Sequence, residues 1–288
     1  MVYALKYLLK DSYRLLRSPA GRRLLGLMAR YADAPRYQPR RIEADGLTLD
    51  VPDLLSFVWQ YKEIFVDEFY RFSTTQPAPV IFDCGANVGT SVLFFKKHYP
   101  TARIVAFEAD AGIADFFEKN LAQNGVMGVE LVRKAVWTDE NGVDFGSEGA
   151  DGASIFAHTA KTRVPSVRLR DRLLAEDRID LLKMDIEGAE AFVLPDCRGA
   201  LGRVQNIFVE YHAYPDQPQN LGEILEILRE SGFRYYLNSA VDRPSPLVNH
   251  RYRGNDAMDL QLNIFGYREN SPLKNSPFEG RAVKFSNA

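Results

Sequence analysis

Residues 80–89, VIFDCGANVG, form an apolar run that ends on a carboxylate and then turns through small residues. Asp83, Gly85, Asn87 and Gly89 are the residues there with chemistry to offer. Glycine lets the backbone approach a ligand closely, and a turn that opens a helix presents N–H groups and a helix N-terminus. A dinucleotide site ordinarily spells G-x-G-x-x-G to admit a pyrophosphate. Here the third glycine is missing, and Asp83 stands at the strand end, where it repels phosphate and suits a cationic or hydroxyl-bearing ligand. The pattern points to S-adenosylmethionine rather than NAD.

Three further stretches carry polar residues where strands end. In VAFEAD, Glu108 stands about 20 residues past the glycine turn, the spacing at which an acid accepts both ribose hydroxyls. Ala135 and Val136, ahead of Trp137, close another strand and offer backbone groups to an adenine edge. In LLKMDIEGAE, three carboxylates and Lys183 crowd one edge, which is costly unless they are paired or used. Asp185 and Glu187 alternate by two and share a face if the strand continues that far. Glu190 has a competing use at the first turn of the next helix. In FVEYH, Glu210, Tyr211 and His212 end a strand, and His212 falls where a proton acceptor would face the reacting group.

These residues need an open parallel sheet, whose ligands sit beyond the carboxyl ends of the strands. Strands are predicted at 80–83, 103–108, 129–136, 179–185, 204–211, 233–238 and 260–267. Helices are predicted at 90–98, 111–124, from 189 onward, and at 220–231. The last strand follows its neighbour through a loop alone and should run antiparallel. The expected fold class is α/β, a Rossmann-like, mostly parallel seven-stranded sheet with helices on both faces. Ahead of it lie a basic helical extension (1–41) and a hairpin and helical lead-in (42–79, with the helix at 54–72). The main domain spans 80–268, and a polar tail follows. The glycine-rich stretch 138–163 reads as a hairpin or flap.

IFDCGANVG, VAFEAD, LLKMDIEGAE and FVEYH, in that order and spacing, resemble the FkbM family of S-adenosylmethionine-dependent methyltransferases over roughly residues 54–267. The resemblance implies O-methylation of a hydroxyl, often on a sugar of a surface glycan, lipo-oligosaccharide or glycosylated natural product. It places Asp83, Gly85, Asn87 and Gly89 around the methionine part of the cofactor and Glu108 on its ribose, with Asp185 also at the cofactor. A sugar hydroxyl needs a base, and His212 is the first choice. Asp185, Glu187 and Glu210 either orient that histidine and hold sugar hydroxyls, or bind a divalent cation through oxygen; the residues leave both open. Glu187, Tyr211, Arg251 and Arg253 are the acceptor-side candidates, the arginines through a phosphate or carboxylate on the acceptor. Family members usually show Glu-Pro after the second strand, and Ala109 replaces that proline here.

Net charge is −2, which gives no global case for nucleic acid. The Asn/Asp-Pro-Pro-aromatic stretch of amine-directed nucleic-acid methyltransferases is replaced by Asp185-Ile186-Glu187-Gly188. The first 41 residues are basic, and an apolar stripe in 3–30 suits either an anionic membrane surface or docking on the domain or on a second subunit. Sparse cysteine, no signal-peptide pattern and no long apolar run lead to the expectation of a cytoplasmic protein. The competing reading is a methyltransferase-like scaffold without catalysis.

Overall fold

The computed structural model describes residues 10–31, 33–146, 161–239, 243, 245–249 and 258–269. Two helices come first, α1 (Lys10–Arg17) and α2 (Pro19–Tyr31). A hairpin follows, β1 (Arg40–Ala44) and β2 (Leu47–Val51). Its two-residue turn, Asp45-Gly46, has φ of 53° and 78°, the paired positive values that match the twist of a tight hairpin. Helix α3 (Leu54–Tyr61) is capped by Asp53, whose carboxylate accepts from the Ser56 N–H at 2.9 Å. The helix predicted for 54–72 is shorter. It passes into a π-helical turn, Lys62–Val66, and ends before Glu68, whose φ of 51° is incompatible with a helix.

The main domain alternates β3 (Val80–Cys84), α4 (Thr90–His98), β4 (Arg103–Phe107), α5 (Ala111–Gln123) and β5 (Val129–Val132). Short pieces follow: β6 (Ala135–Trp137), β7 (Val143–Gly146), β8 (Lys161–Val164), β9 (Ser166–Arg168) and α6 (Leu169–Leu174). Then come β10 (Ile179–Met184), α7 (Glu190–Cys197), β11 (Val204–Ala213), α8 (Leu221–Glu230), β12 (Arg234–Ser239) and β13 (Leu260–Tyr267). The seven-stranded sheet has the order β12-β13-β11-β10-β3-β4-β5. Its strands from β11 to β5 pair in parallel, and β13 runs antiparallel to both neighbours, as expected from sequence.

Each central strand feeds two cores because its side chains alternate across the sheet. Ile81, Ile104, Leu181 and Phe208 belong to one, with α2, the hairpin, α3, α4 and α5. Phe82, Val105, Leu182 and Val209 belong to the other, with α6, α7 and α8. The N-terminal elements are therefore part of the domain's packing: Leu24 and Leu27 of α2 are buried in the first core. The hairpin is fastened by Asn120 of α5. Its side chain bonds both backbone groups of Asp50 and the Val88 carbonyl, at 2.7–2.9 Å.

The strand predicted for 129–136 is two strands. Only β5 joins the sheet; Lys134 turns the chain by donating to the Val132 carbonyl, and β6 pairs in parallel with β9. Arg133 and Lys134 interrupt the apolar run at the break. At 138–163 the described residues show the base of a hairpin, β7 against β8; 147–160 lie outside the described residues. Cys84 and Cys197 are both buried, unpaired core residues. Among the described residues, no helix is long and apolar enough to cross a membrane.

Candidate active site

The turn after β3 is pressed against the end of β10. Gly85 has φ of 81°, and a Cβ on it would lie 1.8 Å from the Asp185 carbonyl oxygen, so only glycine fits. Gly89 caps α4 with φ of 88°, and its missing Cβ leaves room for Leu121 and Phe117. The turn does not offer the bare N–H groups that its composition suggests. Gly85 and Ala86 both donate to the Phe107 carbonyl, Asn87 to Glu108, Val88 to the Asn87 side chain, and Gly89 to the Ala86 carbonyl. What the turn contributes is shape, with Asn87 held at φ of 48°.

Asp83 is buried completely, and its role in the structure is internal. Its carboxylate accepts from the Ser91 hydroxyl at 2.5 Å and stands 3.4 Å from the Lys183 ammonium. Parallel register sets the two side by side. Lys183 also donates to the Gly85 carbonyl at 2.6 Å and lies 3.3 Å from Asp185. Burial disfavours the ammonium, but Asp185, Asp83 and Glu210 outweigh it and hold Lys183 above the ordinary lysine range. A single buried cation thus ties the glycine turn, β3 and the end of β10 together.

Glu108 follows β4, as spacing predicts, and lies directly across from the turn. One carboxylate oxygen accepts from the Asn87 N–H at 2.9 Å and the other from the Asp110 N–H at 2.8 Å. A carboxylate has about four lone-pair positions, so two remain for a ligand. Burial pushes Glu108 up to about 7, against the pull of the Asp110 and Asn87 donors. Ala135 and Val136 are buried, and the Ala135 N–H is taken by the Pro165 carbonyl.

The second cluster lies where β10 and β11 end. One ligand atom from each of Asp185, Glu187 and His212 falls within 4.8 Å of the others. Glu187 has φ of 54° and precedes Gly188 at 98°, a tight turn that brings its carboxylate back to 3.7 Å from Nε2 of His212. Glu190, the first residue of α7, is buried and accepts from the N–H groups of Ile186 and Gly188 at 2.9 and 3.0 Å. It also lies 3.3 Å from Nδ1 of His212. Burial opposes an imidazolium, but Glu187 and Glu190 outweigh it and hold His212 well above the ordinary histidine value. Glu190 thus lies against Nδ1 of the ring, and Nε2 faces Glu187. Burial, with Asp185 nearby, pushes Glu210 well above the ordinary carboxylate range, and Gln261 donates to it.

Residues 83–235, more than half of the chain, match the methyltransferase FkbM domain family. The chain belongs to that family. It is 31% identical over 195 residues to methyltransferase sdnD of Sordaria araneosa, covering 54% of this chain and 74% of the relative. It is 28% identical to 31-O-demethyl-FK506 methyltransferase FkbM of Streptomyces tacrolimicus, over 60% of this chain and 80% of that one. The 2-O-methyltransferase NoeI of Sinorhizobium fredii is 29% identical, over 47% of this chain and 64% of its own. A solved FkbM methyltransferase from Methylobacillus flagellatus aligns with a TM-score of 0.45 at 16% identity, over 73% of this chain and 53% of that chain.

Within this FkbM domain, the structure brings Asp185, Glu187, Glu210 and His212 to one edge and Glu108, Gly85 and Asn87 to the neighbouring one. It does not bring Tyr211 there. Successive strand residues face opposite ways, so Tyr211 lies in the second core, where its hydroxyl accepts from the Asn220 N–H at 3.0 Å ahead of α8. Arg251 and Arg253 lie outside the described residues. Sequence reasoning placed Lys183 among charges that need pairing but missed its partner Asp83, and it did not single out Tyr70. A lone lysine inside an apolar strand was a legible sign of a buried ion pair. Tyr70, whose ring lies 5.8 Å from the Lys183 ammonium, carried no such sign.

Proposed function

We propose that this chain is an S-adenosylmethionine-dependent O-methyltransferase acting on a hydroxyl of a sugar or glycan. The observation that carries this reading is the placement of two built sites at the carboxyl ends of one sheet's central strands, after β4 and after β10 and β11, with the glycine turn of β3 between them. Glu108 is fixed by two backbone donors with acceptor capacity left over, and the Asp185–Glu187–His212 cluster stands on the far side of the β3 turn. The names of two relatives, a 31-O- and a 2-O-methyltransferase, support oxygen as the atom methylated.

The residues fit the cofactor. Glu108 would take the ribose hydroxyls, with the Gly85–Asn87 turn that donates to it lying alongside the rest of the cofactor. Asp83 acts behind that surface, by holding Lys183 and Ser91. When bound, S-adenosylmethionine supplies an electrophilic methyl group on its sulfonium. The protein's share is to align the acceptor oxygen and draw off its proton. Carboxylates at 185 and 187 are suited to grip vicinal hydroxyls of the acceptor.

The test is calorimetric titration with S-adenosylmethionine, S-adenosylhomocysteine and NAD, followed by a screen of glycan acceptors. Binding of the adenosyl ligands alone, weakened at least tenfold in Glu108→Ala, is expected. Folded protein that binds neither adenosyl ligand would leave the non-catalytic scaffold as the better account.

A further inference from the structure

We propose that Asp185, Glu187 and Nε2 of His212 hold one divalent cation of the Mg²⁺ and Mn²⁺ class, which in turn receives hydroxyl oxygens of the acceptor. The second clause rests on the methyl-transfer reading; the binding of the ion does not.

Geometry carries the first step. Ligand atoms around one such ion stand about 3–4 Å apart, given metal–ligand distances of about 2 Å. The three candidate atoms lie within 4.8 Å of one another, so a small rotation of two part-exposed carboxylates closes the set. Two oxygens and one nitrogen favour Mg²⁺ or Mn²⁺ over thiophilic metals, and the imidazole tilts the choice toward Mn²⁺. The ring is also prepared for the task. Metal-bound histidines usually have the other ring nitrogen held by a carboxylate or carbonyl, which fixes orientation and tautomer. Glu190 occupies that position, 3.3 Å from Nδ1, and is itself anchored by two backbone donors. Lys183 steadies Asp185 from the opposite side, at 3.3 Å.

An independent feature of the same sheet face asks for a ligand. Asn263 of β13 stands directly across from Glu210 of β11, so the two side chains share a face. Asn263 is 1% exposed, yet among the described residues neither its amide nitrogen nor its oxygen has a hydrogen-bond partner. An orphaned buried amide costs about 1–3 kcal/mol, and a native structure seldom leaves one unused. Its neighbours on that face include Gln261, which donates to Glu210, and His212, which stands across from Gln261. A hydroxyl-bearing ligand on that face has both the donor and the acceptor that Asn263 lacks.

The test uses the full chain, with Mn²⁺ alone as the probe and free Mn²⁺ followed by electron paramagnetic resonance. One ion per chain is expected, bound at least tenfold more weakly by Asp185→Asn and by Glu187→Gln, and unchanged in Asp144→Asn, an exposed carboxylate of β7. Equal binding by all four proteins, or none by the wild type, overturns the proposal. Should the variants unfold, the wild type decides alone. The ring signals of His212 should be broadened by substoichiometric Mn²⁺ ahead of those of His98; unbroadened His212 signals overturn the site. S-adenosylhomocysteine titration separates the two readings: adenosyl binding without Mn²⁺ binding refutes the ion and spares the methyltransferase, and the reverse result does the opposite.

Discussion

Glu190 and His212 form a buried pair that links the start of α7 to the end of β11, with Oε1 3.3 Å from Nδ1. The same carboxylate closes the 186–190 turn through Ile186 and Gly188. Glu190→Ala therefore strands two N–H donors and the ring at once, and should cost about 3 kcal/mol or more. Glu190→Gln keeps an acceptor oxygen and should cost clearly less. Urea unfolding at constant slope reads the difference; equal midpoints for both variants would contradict the pairing.

Lys183 is the cation among buried Asp83 and part-buried Asp185. Lys183→Met leaves Asp83 charged without compensation in the core, and about 3–5 kcal/mol of destabilisation is expected. Restoring neutrality with Asp83→Asn in the same chain should recover part of that loss. A double variant as unstable as the sum of the single ones would show that the two residues do not interact.

Gly85 and Gly125 both have positive φ, 81° and 66°, but their surroundings differ. A methyl group at 125 meets open space, whereas one at 85 meets the Asp185 carbonyl at 1.8 Å. Gly125→Ala should cost about 1 kcal/mol, the left-handed penalty alone. Gly85→Ala should either prevent folding or displace the ends of β3 and β10. Thermal melts of the two proteins compare them directly, and similar melting temperatures would refute the close approach.

Glu108 is raised from an ordinary 4.5 to about 7, first by burial. The folded state then binds this proton more tightly than the unfolded chain does. The group's contribution is greatest in acid, and stability falls as pH rises from about 4.5 to about 7. Cofactor affinity should run the other way. The ionised carboxylate accepts ribose hydroxyls better, so S-adenosylhomocysteine binding should strengthen as pH rises through about 7. Glu108→Gln should flatten both profiles, and a variant with wild-type slopes would exclude Glu108 as their source.

Much of the architecture was legible because its signals are local. Apolar runs closed by Asp83, Glu108, Asp185 and His212 mark strand ends, and a strand that follows its neighbour with no helix between them is expected to reverse direction. Signals shorter than a period were not. The three-residue strands β6 and β9 and the six-residue α6 offer no periodicity, and the π-helical end of α3 breaks a pattern that otherwise continues to 72.

For the site, the residue types and their order along the chain followed from sequence alone: a glycine turn, an acid about 20 residues later, then two acid-bearing strand ends. Which atoms meet did not. Partners of a buried charge are chosen by strand register and by which face a side chain takes, and both are long-range properties. Register placed Asp83 beside Lys183 and Asn263 across from Glu210. Alternation along β11 sent Tyr211 into the core while Glu210 and His212 took the other face. The sequence determined that a carboxylate–histidine cluster would stand at the sheet's edge. Only the packing of β10, β11 and β13 decided that it would be one histidine gripped by Glu190, open toward Asp185 and Glu187.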